Sequence, residues 1–279
     1  ATGQTLAACY LDLDGFKDVN DSLGHPVGDA LLAEVGRRIG ASLHPQDFLG
    51  RLGGDEFALL LHDAASTGGV AAVGQRIIER LEEVFVVEGH EIFISTSIGV
   101  SMFPHDGQDV ADLLRKADMA LYQAKAAGKR KLVFFTDAIE ARQRERSELE
   151  QALRVAEERG ELRLVYQPKI DIASKAVTGA EALLRWHHPS RGLVRPDEFI
   201  PLAEETRLIV PIGRWVLEQA CRQIRAWTDL GIARVHVAVN ISSIQFRSPE
   251  LVDDIERIIR QTGIDASQLE IELTESGLM

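Results

Sequence analysis

RLGGDEF, at residues 51–57, is the stretch that decides how the first half of the chain folds. The segments 47–52 and 56–61 on either side of it are each long enough for a short strand. Two glycines between two strands predict a hairpin turn, because glycine adopts the positive φ angles that a tight turn requires. We therefore expect Asp55 and Glu56 at the tip of the hairpin, where a ligand can reach them.

A second acidic cluster, Asp12 and Asp14, follows the apolar segment 6–11. Near-continuous apolar sequence predicts a buried strand. A lone acidic hairpin is most simply a polar turn with solvated carboxylates. Two acidic clusters at strand ends, however, supply the oxygen ligands that Mg²⁺ prefers. The two clusters together therefore favour a metal site.

Other elements are predicted from the spacing of apolar residues. Their period indicates helices over 27–39, 67–84 and 110–127, and a strand over 91–100. Residues 18–24 form a polar stretch. Mixed strands and helices of this kind predict a sheet with helices packed on it.

Four motifs occur in order along the first half of the chain: LDLDGFKDVND (11–21), GHPVGD (24–29), RLGGDEF (51–57) and ADMALYQAKAAGK (117–129). Through these motifs the stretch 1–135 resembles a GGDEF domain of the diguanylate cyclase family. The resemblance predicts a first domain at 1–136 whose N-terminal part is missing. It implies an α+β, ferredoxin-like palm with a central, mostly antiparallel sheet.

Diguanylate cyclases join two GTP molecules into cyclic di-GMP, with each 3′-hydroxyl attacking the α-phosphate of the other molecule. The resemblance implies that Asp12, the Leu13 carbonyl and Asp55 bind Mg²⁺ or Mn²⁺. It also implies that Asp55 or Glu56 helps to remove the proton from the attacking hydroxyl. Asp14 is then either a further carboxylate near the metal or a structural cap.

Two positions correspond to those that read guanine in this family, namely Asn20 and Asp29. An amide and a carboxylate both have groups that can pair with the guanine edge. Asparagine and aspartate also favour helix N-termini, so helix capping is the alternative role for both residues.

The resemblance places the triphosphate against the backbone of Gly15 and Phe16 and against the side chains of Lys17, Lys125 and Lys129. The family usually has arginine where Lys129 stands. Lysine keeps the charge but loses the bidentate fork. The alternative for Lys125 and Lys129 is that they are ordinary cations of a last helical turn, where the helix dipole favours them.

One departure from the family concerns regulation by product. Many diguanylate cyclases carry Arg-x-x-Asp ahead of the signature, and this segment binds product dimers. The same place here, residues 44–47, is HPQD, so the arginine is missing. We therefore expect that product does not inhibit synthesis at this place.

Residues 137–160 are rich in charge and have only a thin apolar seam at Ile139, Leu149, Leu153 and Ala156. The seam is too short for sustained heptads. This segment is therefore predicted to be a linker helix that is mostly solvated.

A second domain is predicted at 161–279. Its alternation of strands and helices indicates parallel strands. Five motifs follow in order: YQP (166–168), GAEALLRW (179–186), PDEFIPLAEE (196–205), VAVNISSIQF (237–246) and IELTES (271–276). They resemble an EAL domain of the cyclic di-GMP phosphodiesterase family, which implies a TIM-like (β/α) barrel. About half of a barrel of roughly 250 residues fits here, so we expect the C-terminal half to be missing.

EAL domains cut cyclic di-GMP to linear pGpG at a two-metal site. The resemblance implies that Glu181, Asn240 and Glu272 are metal ligands at the C-terminal ends of strands. It places Gln167 and Arg185 at the phosphate and base of the ligand. The alternatives are a strand-end cap for Asn240 and a surface acid for Glu272. Later family motifs do not follow, so we expect the EAL site of this fragment to be incomplete.

Composition limits the class of partner and the compartment. The net charge of −12 opposes binding of nucleic-acid polymers, which requires a basic surface. Cys9 and Cys221 lie in apolar or helical surroundings, which predicts free buried thiols in a reducing cytoplasm. No apolar run approaches the roughly 18–20 residues of a membrane span, and no signal peptide is recognised. We expect a bacterial cytoplasmic protein, whose membrane attachment depends on sequence outside this fragment.

The sequence therefore predicts a two-domain enzyme of cyclic di-GMP turnover that binds GTP and cyclic di-GMP. Because one GGDEF domain holds one GTP, cyclase activity is expected to need a homodimer. Two alternatives remain open. In one, the GGDEF domain only senses GTP and regulates an EAL phosphodiesterase. In the other, the protein is a receptor or scaffold for cyclic di-GMP without catalysis, which the retained metal ligands argue against.

Overall fold

The computed structural model describes residues 5–62, 66–232 and 235–273. The chain divides into two units, residues 1–144 and 145–279. Each unit has its own five-stranded sheet. Among the helices of the described part, none combines the length and the apolar character needed to cross a membrane.

The first unit contains both strands and helices. Its elements are β1 (Leu6–Asp14), α1 (Phe16–Leu23), α2 (His25–Gly40), β2 (Phe48–Gly53), β3 (Glu56–His62), α3 (Thr67–Glu82), β4 (Phe85–Val87), β5 (His90–Ile92), β6 (Ser95–Phe103), α4 (Val110–Ala126) and β7 (Leu132–Phe134). The sheet order is β2-β3-β1-β6-β7, and only β6 and β7 are parallel neighbours. The prediction of a mostly antiparallel sheet is confirmed.

Strand β1 lies in the middle of this sheet because its side chains are apolar on both faces. Ala7, Ala8 and Leu11 are fully buried, and α2 covers one face with Leu31 and Val35. Full burial of a leucine or valine side chain such as Leu11 stabilises the fold by about 1.5–3 kcal/mol. The carboxyl end of β1, with its acidic residues, is thereby held on a rigid central strand.

Two elements differ from the predicted pattern. The polar stretch 18–24 lies mostly inside α1, whose apolar residues Phe16, Val19 and Leu23 pack against the core. The predicted strand 91–100 is divided into β5 and β6. Strand β5 pairs with β4 in a separate two-stranded sheet, whereas β6 lies between β1 and β7.

The second unit contains β8 (Leu162–Ile170), β9 (Val177–His188), β10 (Gly192–Val194), α6 (Pro196–Glu205), α7 (Ile209–Asp229), β11 (His236–Ile241), α8 (Ser243–Phe246), α9 (Leu251–Thr262), a 3-10 turn (Ala266–Gln268) and β12 (Leu269–Leu273). Strands β9, β11 and β12 are parallel. The prediction of parallel strands is wrong for β8, which is antiparallel to β9. Strand β10, which the sequence did not indicate, is also antiparallel to β9. The loop 171–176 between β8 and β9 is too short for the crossover that parallel strands require.

Residues 137–153 form helix α5 (Asp137–Leu153). Its apolar seam is buried instead of solvated. Ile139 packs in the first unit with Phe135, and Leu149 and Leu153 belong to the core of the second unit, as does Ala156 after the helix. The other side chains of α5 are exposed or partly exposed, and the buried seam packs one end of the helix on each unit.

The two cysteines are free and buried, as predicted. Burial raises the pKa of the Cys9 thiol to about 12 and that of Cys221 to about 11. Both thiols therefore remain protonated at neutral pH and behave as small apolar side chains.

Candidate active sites

Strand pairing brings the two acidic clusters of the first unit together. Asp12 lies opposite Glu56 in the register of β1 and β3, and Asp55 precedes Glu56 in the turn after β2. Gly54 has a φ of 51° in this turn, with open space around it, as expected for a hairpin tip. At Leu13, only the backbone is available to a ligand at this end of β1, because the side chain is 2% exposed.

Asp12 forms an ion pair with Lys125 from the last turn of α4. Lys125 Nζ lies 2.7 Å from Asp12 Oδ2, and the Asp12 side chain is 13% exposed. Burial raises the pKa of Asp12; Lys125 acts in the opposite direction, and the neighbouring charges of Asp55 and Asp14 raise it further. One lysine does not neutralise three neighbouring carboxylates, so this edge suits an additional cation.

Two residues that the sequence did not single out contact Glu56 or influence it. The Tyr10 hydroxyl donates to Glu56 Oε2 over 2.9 Å. Burial and the nearby charge of Glu56 raise the pKa of the Asp118 carboxyl. The charge of Lys125 acts in the opposite direction but does not outweigh them. Spacing could have indicated both residues. Tyr10 lies two residues before Asp12 on one strand face, and Asp118 lies two helical turns before Lys125.

Helix α1 begins where β1 ends, next to the acidic cluster. Gly15 precedes the helix with a φ of 89°, Phe16 is buried and Lys17 is exposed. The first turn of a helix presents backbone N–H groups and a positive dipole, which suit an anion. The three predicted phosphate contacts of the β1–α1 junction therefore lie together beside Asp12.

Asn20 of α1 contacts α2 at Gly28, the residue before Asp29. An ideal Cβ on Gly28 would be only 2.0 Å from Asn20 Oδ1, so the Asn20 amide rests on the bare backbone of α2 beside Asp29. The N-caps of α1 and α2 are Gly15 and Gly24. The alternative that Asn20 and Asp29 cap these helices is therefore wrong.

Lys129 lies beyond the helix that carries Lys125. Lys125 is in the last turn of α4, whereas Lys129 follows the helix in a turn with a φ of 59°. The description as a last-turn cation therefore fits Lys125 only.

The carboxylate of Asp47 is used within its own turn. Its Oδ2 accepts from the His44 amide and its Oδ1 from the His62 amide, each over 2.9 Å. The aspartate of the HPQD segment thus binds the backbone that joins α2, β2 and β3.

In the second unit, parallel pairing brings Glu181 and Asn240 together. Asn240 Nδ2 donates to Glu181 Oε1 over 2.7 Å. Asn240 lies near the end of β11, as expected, but Glu181 lies well inside β9. The reason is that β9 pairs with β11 only as far as Ala182 and then continues beside β8 and β10. Glu181 is therefore at the end of the parallel segment instead of the end of the strand.

Glu272 lies opposite Asn240 in the register of β11 and β12. Lys169 Nζ on β8 lies 2.6 Å from Glu272 Oε1 and 3.1 Å from Glu270 Oε2. Lys169, which the sequence did not single out, thus provides a cation beside a predicted metal ligand.

The predicted ligand contacts of this unit are near the same strands. Gln167 lies opposite Glu181 in the antiparallel register of β8 and β9. Arg185 Nη1 donates to the Leu184 carbonyl over 2.8 Å. Arg185 and Asn240 line a cavity of about 350 Å³ whose other walls are mostly apolar.

Both predicted metal sets have the chemistry of a hard cation. Within the described residues, no three His, Cys, Asp or Glu side chains converge. Each set instead combines two carboxylates with a neutral oxygen, from the Leu13 carbonyl in the first unit and from Asn240 in the second. Oxygen donors of this kind suit Mg²⁺.

Comparison with protein families identifies both units. Residues 1–131 match the family model of the diguanylate cyclase GGDEF domain, and residues 147–279 match that of the EAL domain. The chain joins a GGDEF domain to an EAL domain. Both families depend in general on divalent metal ions.

Known GGDEF–EAL proteins align with nearly the whole chain. The bifunctional diguanylate cyclase/cyclic di-GMP phosphodiesterase MucR of Pseudomonas aeruginosa is 44% identical over 274 residues, which are 98% of this chain and 40% of MucR. The cyclic di-GMP phosphodiesterase NbdA of the same organism is 39% identical over 277 residues, which are 99% of this chain and 35% of NbdA. The chain thus spans less than half the length of these relatives.

Among solved structures, the GGDEF domain of TpbB (YfiN) from Pseudomonas aeruginosa has a TM-score of 0.49 and 33% sequence identity. It covers 50% of this chain and 83% of its own.

Proposed function

We propose that the GGDEF domain condenses two GTP molecules into cyclic di-GMP, and that the EAL domain of the complete protein hydrolyses cyclic di-GMP to linear pGpG. The observation that carries the cyclase proposal is the meeting of Asp12, Asp55 and Lys125 at the carboxyl end of β1. The relatives named for both activities support the same reading.

Each group of the first site has a distinct task. Asp12, the Leu13 carbonyl and Asp55 would hold Mg²⁺, which when bound offsets phosphate charge and favours ionisation of the attacking hydroxyl. The Lys125 ammonium faces the carboxylates and is placed to balance phosphate charge during transfer. Asn20 and Asp29 would hold the guanine edge, which would fix the position of the α-phosphate.

Tyr10 orients the carboxylate of Glu56. The phenol donates to one carboxylate oxygen and leaves the other free of that bond. Glu56 is thereby held beside Asp55, where it can accept a proton from the ribose hydroxyl.

The experiment is to incubate the 279-residue chain with GTP and Mg²⁺ and to separate the nucleotides by chromatography. We expect cyclic di-GMP from the wild type and none from Asp55→Ala, because the variant lacks a metal ligand. GTP binding without product in the wild type would contradict synthesis and favour a GTP sensor.

A phosphodiesterase site is supported separately by the contact of Asn240 with Glu181 and by the register of Asn240 with Glu272. Hydrolysis is to be measured with the complete protein, because the chain spans less than half the length of the relatives named for this activity. We expect pGpG from the wild type and none from Glu181→Gln. Binding of cyclic di-GMP without hydrolysis would favour a receptor.

A further inference from the structure

Asp14 lies two residues beyond Asp12, and its carboxylate is already engaged by the protein. Ser97 Oγ donates to its Oδ2 over 3.0 Å, and Ser95 Oγ donates to the same oxygen over 3.1 Å. The Arg130 amide approaches Oδ2 from a different segment, at 3.4 Å. Ser97 Oγ also lies 3.1 Å from Oδ1, so these donors hold the carboxylate in one orientation.

The two serines are part of the sheet. Ser95 lies opposite Asp14, and Ser97 lies opposite Asp12, in the register of β1 and β6. Ser95 is 4% exposed and Ser97 is fully buried. A buried hydroxyl needs a partner, and for both serines that partner is Asp14. The orientation of the Asp14 carboxylate is therefore fixed by the core of the domain.

The turn that Asp14 contacts has an unusual backbone. Gly128, Lys129 and Arg130 have φ angles of 104°, 59° and 52°. Left-handed conformations cost roughly 1–2 kcal/mol for each residue other than glycine, so two in succession persist only where the surroundings hold them.

Contacts on both sides hold this turn. The Lys129 amide donates to the Ala124 carbonyl over 3.1 Å, and the Lys131 carbonyl accepts from the Ile98 amide over 2.9 Å. Between these two anchors, the Arg130 amide contacts Asp14 and so joins the turn to the end of β1. Asp14 is therefore linked to the backbone next to Lys129.

We propose that Asp14 is a positioning residue that holds the 128–130 turn against β1, so that the Lys129 ammonium meets the triphosphate of the bound nucleotide. The inference rests on the proposed function, because GTP is the ligand that Lys129 would contact. Lys125, one helical turn earlier, forms an ion pair with Asp12. Lys129 in the 128–130 turn would therefore add a second cation next to Lys125. Asp14 acts through Lys129 and does not touch the nucleotide.

The test is a double-mutant cycle on equilibrium binding of GTP, measured by calorimetry with Asp14→Asn, Lys129→Met and the double variant. We expect each single variant to weaken binding about tenfold, the value of one charge-assisted contact. The double variant should be no weaker than Lys129→Met, because the role of Asp14 depends on that lysine. Independent, multiplying losses would overturn the proposal.

Three further measurements sharpen the result. Asp21→Asn removes the same charge from an exposed position of α1 and should leave GTP binding unchanged. Ser97→Ala, which keeps the aspartate, should weaken binding in the same direction by a smaller factor. If Asp14→Asn raises the Mg²⁺ concentration for half-maximal rate and Lys129→Met does not, Asp14 is a metal ligand and the proposal is wrong.

Binding also separates this proposal from the proposed catalysis. A wild type that binds GTP but forms no cyclic di-GMP contradicts synthesis, while the binding cycle still decides the role of Asp14. A wild type that binds no GTP overturns both. In an active wild type, Asp14→Asn should raise the KM for GTP about tenfold and change kcat less than threefold, whereas a general loss of structure would lower kcat as well.

Discussion

Gly28 leaves room for the amide of Asn20, and this single contact makes the guanine site testable. In Gly28→Ala, the new methyl group would overlap Asn20 Oδ1, so the amide must leave its present position. A hydrogen bond contributes about 0.5–1.5 kcal/mol. We therefore expect the KM for GTP to rise by about two- to tenfold, with a smaller preference for GTP over ATP in a competition assay.

The same helix provides the control. A Cβ on Gly36 would meet its nearest atom, in the Phe57 ring, at 3.9 Å, which is an ordinary contact. Gly36→Ala should therefore leave the KM unchanged and stabilise α2 slightly, because alanine favours helix more than glycine does. An unchanged KM in Gly28→Ala would show that Asn20 does not hold the guanine.

Product inhibition is a second property that depends on single residues. Asp47 already accepts two backbone amides, and the position three residues before it is His44 instead of arginine. We expect that Asp47→Asn does not change the response of the cyclase to added cyclic di-GMP. Titration of cyclic di-GMP into both assays checks this, and inhibition that disappears in the variant would contradict it.

At this scale, motif residues could be predicted from the sequence and their partners could not. Asp12 and Asp55 are recognisable because strand ends and glycine turns have local signatures. Spacing places Tyr10 and Asp118 on the faces of Asp12 and Lys125, but their relation to Glu56 depends on how β1, β3 and α4 pack together, which the sequence does not show. Whether the motif residues carry out the assigned roles stays a prediction.

At the scale of elements, Asp254 links α9 to α7 in the EAL domain. Its carboxylate accepts from Arg214 Nε over 2.7 Å and from Arg257 Nη2 over 2.5 Å, and its side chain is 17% exposed. Burial alone would raise the pKa of Asp254, but the hydrogen bonds from Arg257 and Arg214 outweigh it and lower the pKa. The ionised carboxylate is therefore the form that stabilises the fold.

We expect Asp254→Asn to lower the free energy of unfolding by about 1–2 kcal/mol at pH 7. Because the pKa in the folded state is lowered, this contribution is present above the ordinary value of 3.8 and is lost as the pH falls through the lower folded value. The difference between variant and wild type should shrink below about pH 4. Tryptophan fluorescence during urea unfolding follows this domain alone, since all three tryptophans, Trp186, Trp215 and Trp227, lie in it.

Asp229→Asn is the matched control for this change. Asp229 pairs with Arg225 on the same helix, and both side chains are more than half exposed. Exposed pairs contribute little, so this variant should unfold at nearly the wild-type urea concentration. Equal losses in the two variants would mean that the link between α7 and α9 is not what Asp254 provides.

Elements with a strong apolar period were predictable, and those set by context were not. The helix at 110–127 and the central strand at 6–13 agree closely with α4 and β1. Helix α1 was missed because its three core contacts are spread among charged residues. The predicted strand 91–100 is divided because its two parts belong to different sheets. Ser95 to Ser101 are buried on both faces in the middle of the five-stranded sheet.

At the scale of the whole molecule, two domains with opposite proposed chemistry share one chain. Both carry an acidic edge with a lysine ion pair, Lys125 with Asp12 and Lys169 with Glu272. In each case the ion pair holds a lysine beside a predicted metal ligand. The two sites make different demands on assembly, because synthesis needs two nucleotides and hydrolysis needs one.

The described residues contain one GGDEF site, and the product contains two guanosine monophosphate units. Each site would present one GTP, so two chains must face each other for the hydroxyl of one nucleotide to reach the phosphate of the other. We therefore expect the rate of cyclic di-GMP synthesis to rise faster than linearly with protein concentration near the dissociation constant of the dimer. Initial rates over a dilution series, with light scattering on the same samples, measure both quantities.

Hydrolysis by the complete protein is the internal control for this dependence. One EAL domain can hold a whole cyclic di-GMP, so its specific activity need not change with dilution. A mixture of Asp55→Ala and wild-type chains should lose cyclase activity more steeply than the wild-type fraction falls, because a mixed dimer lacks one metal site. Synthesis strictly proportional to concentration, from a protein that scatters as a monomer throughout, would contradict the dimer.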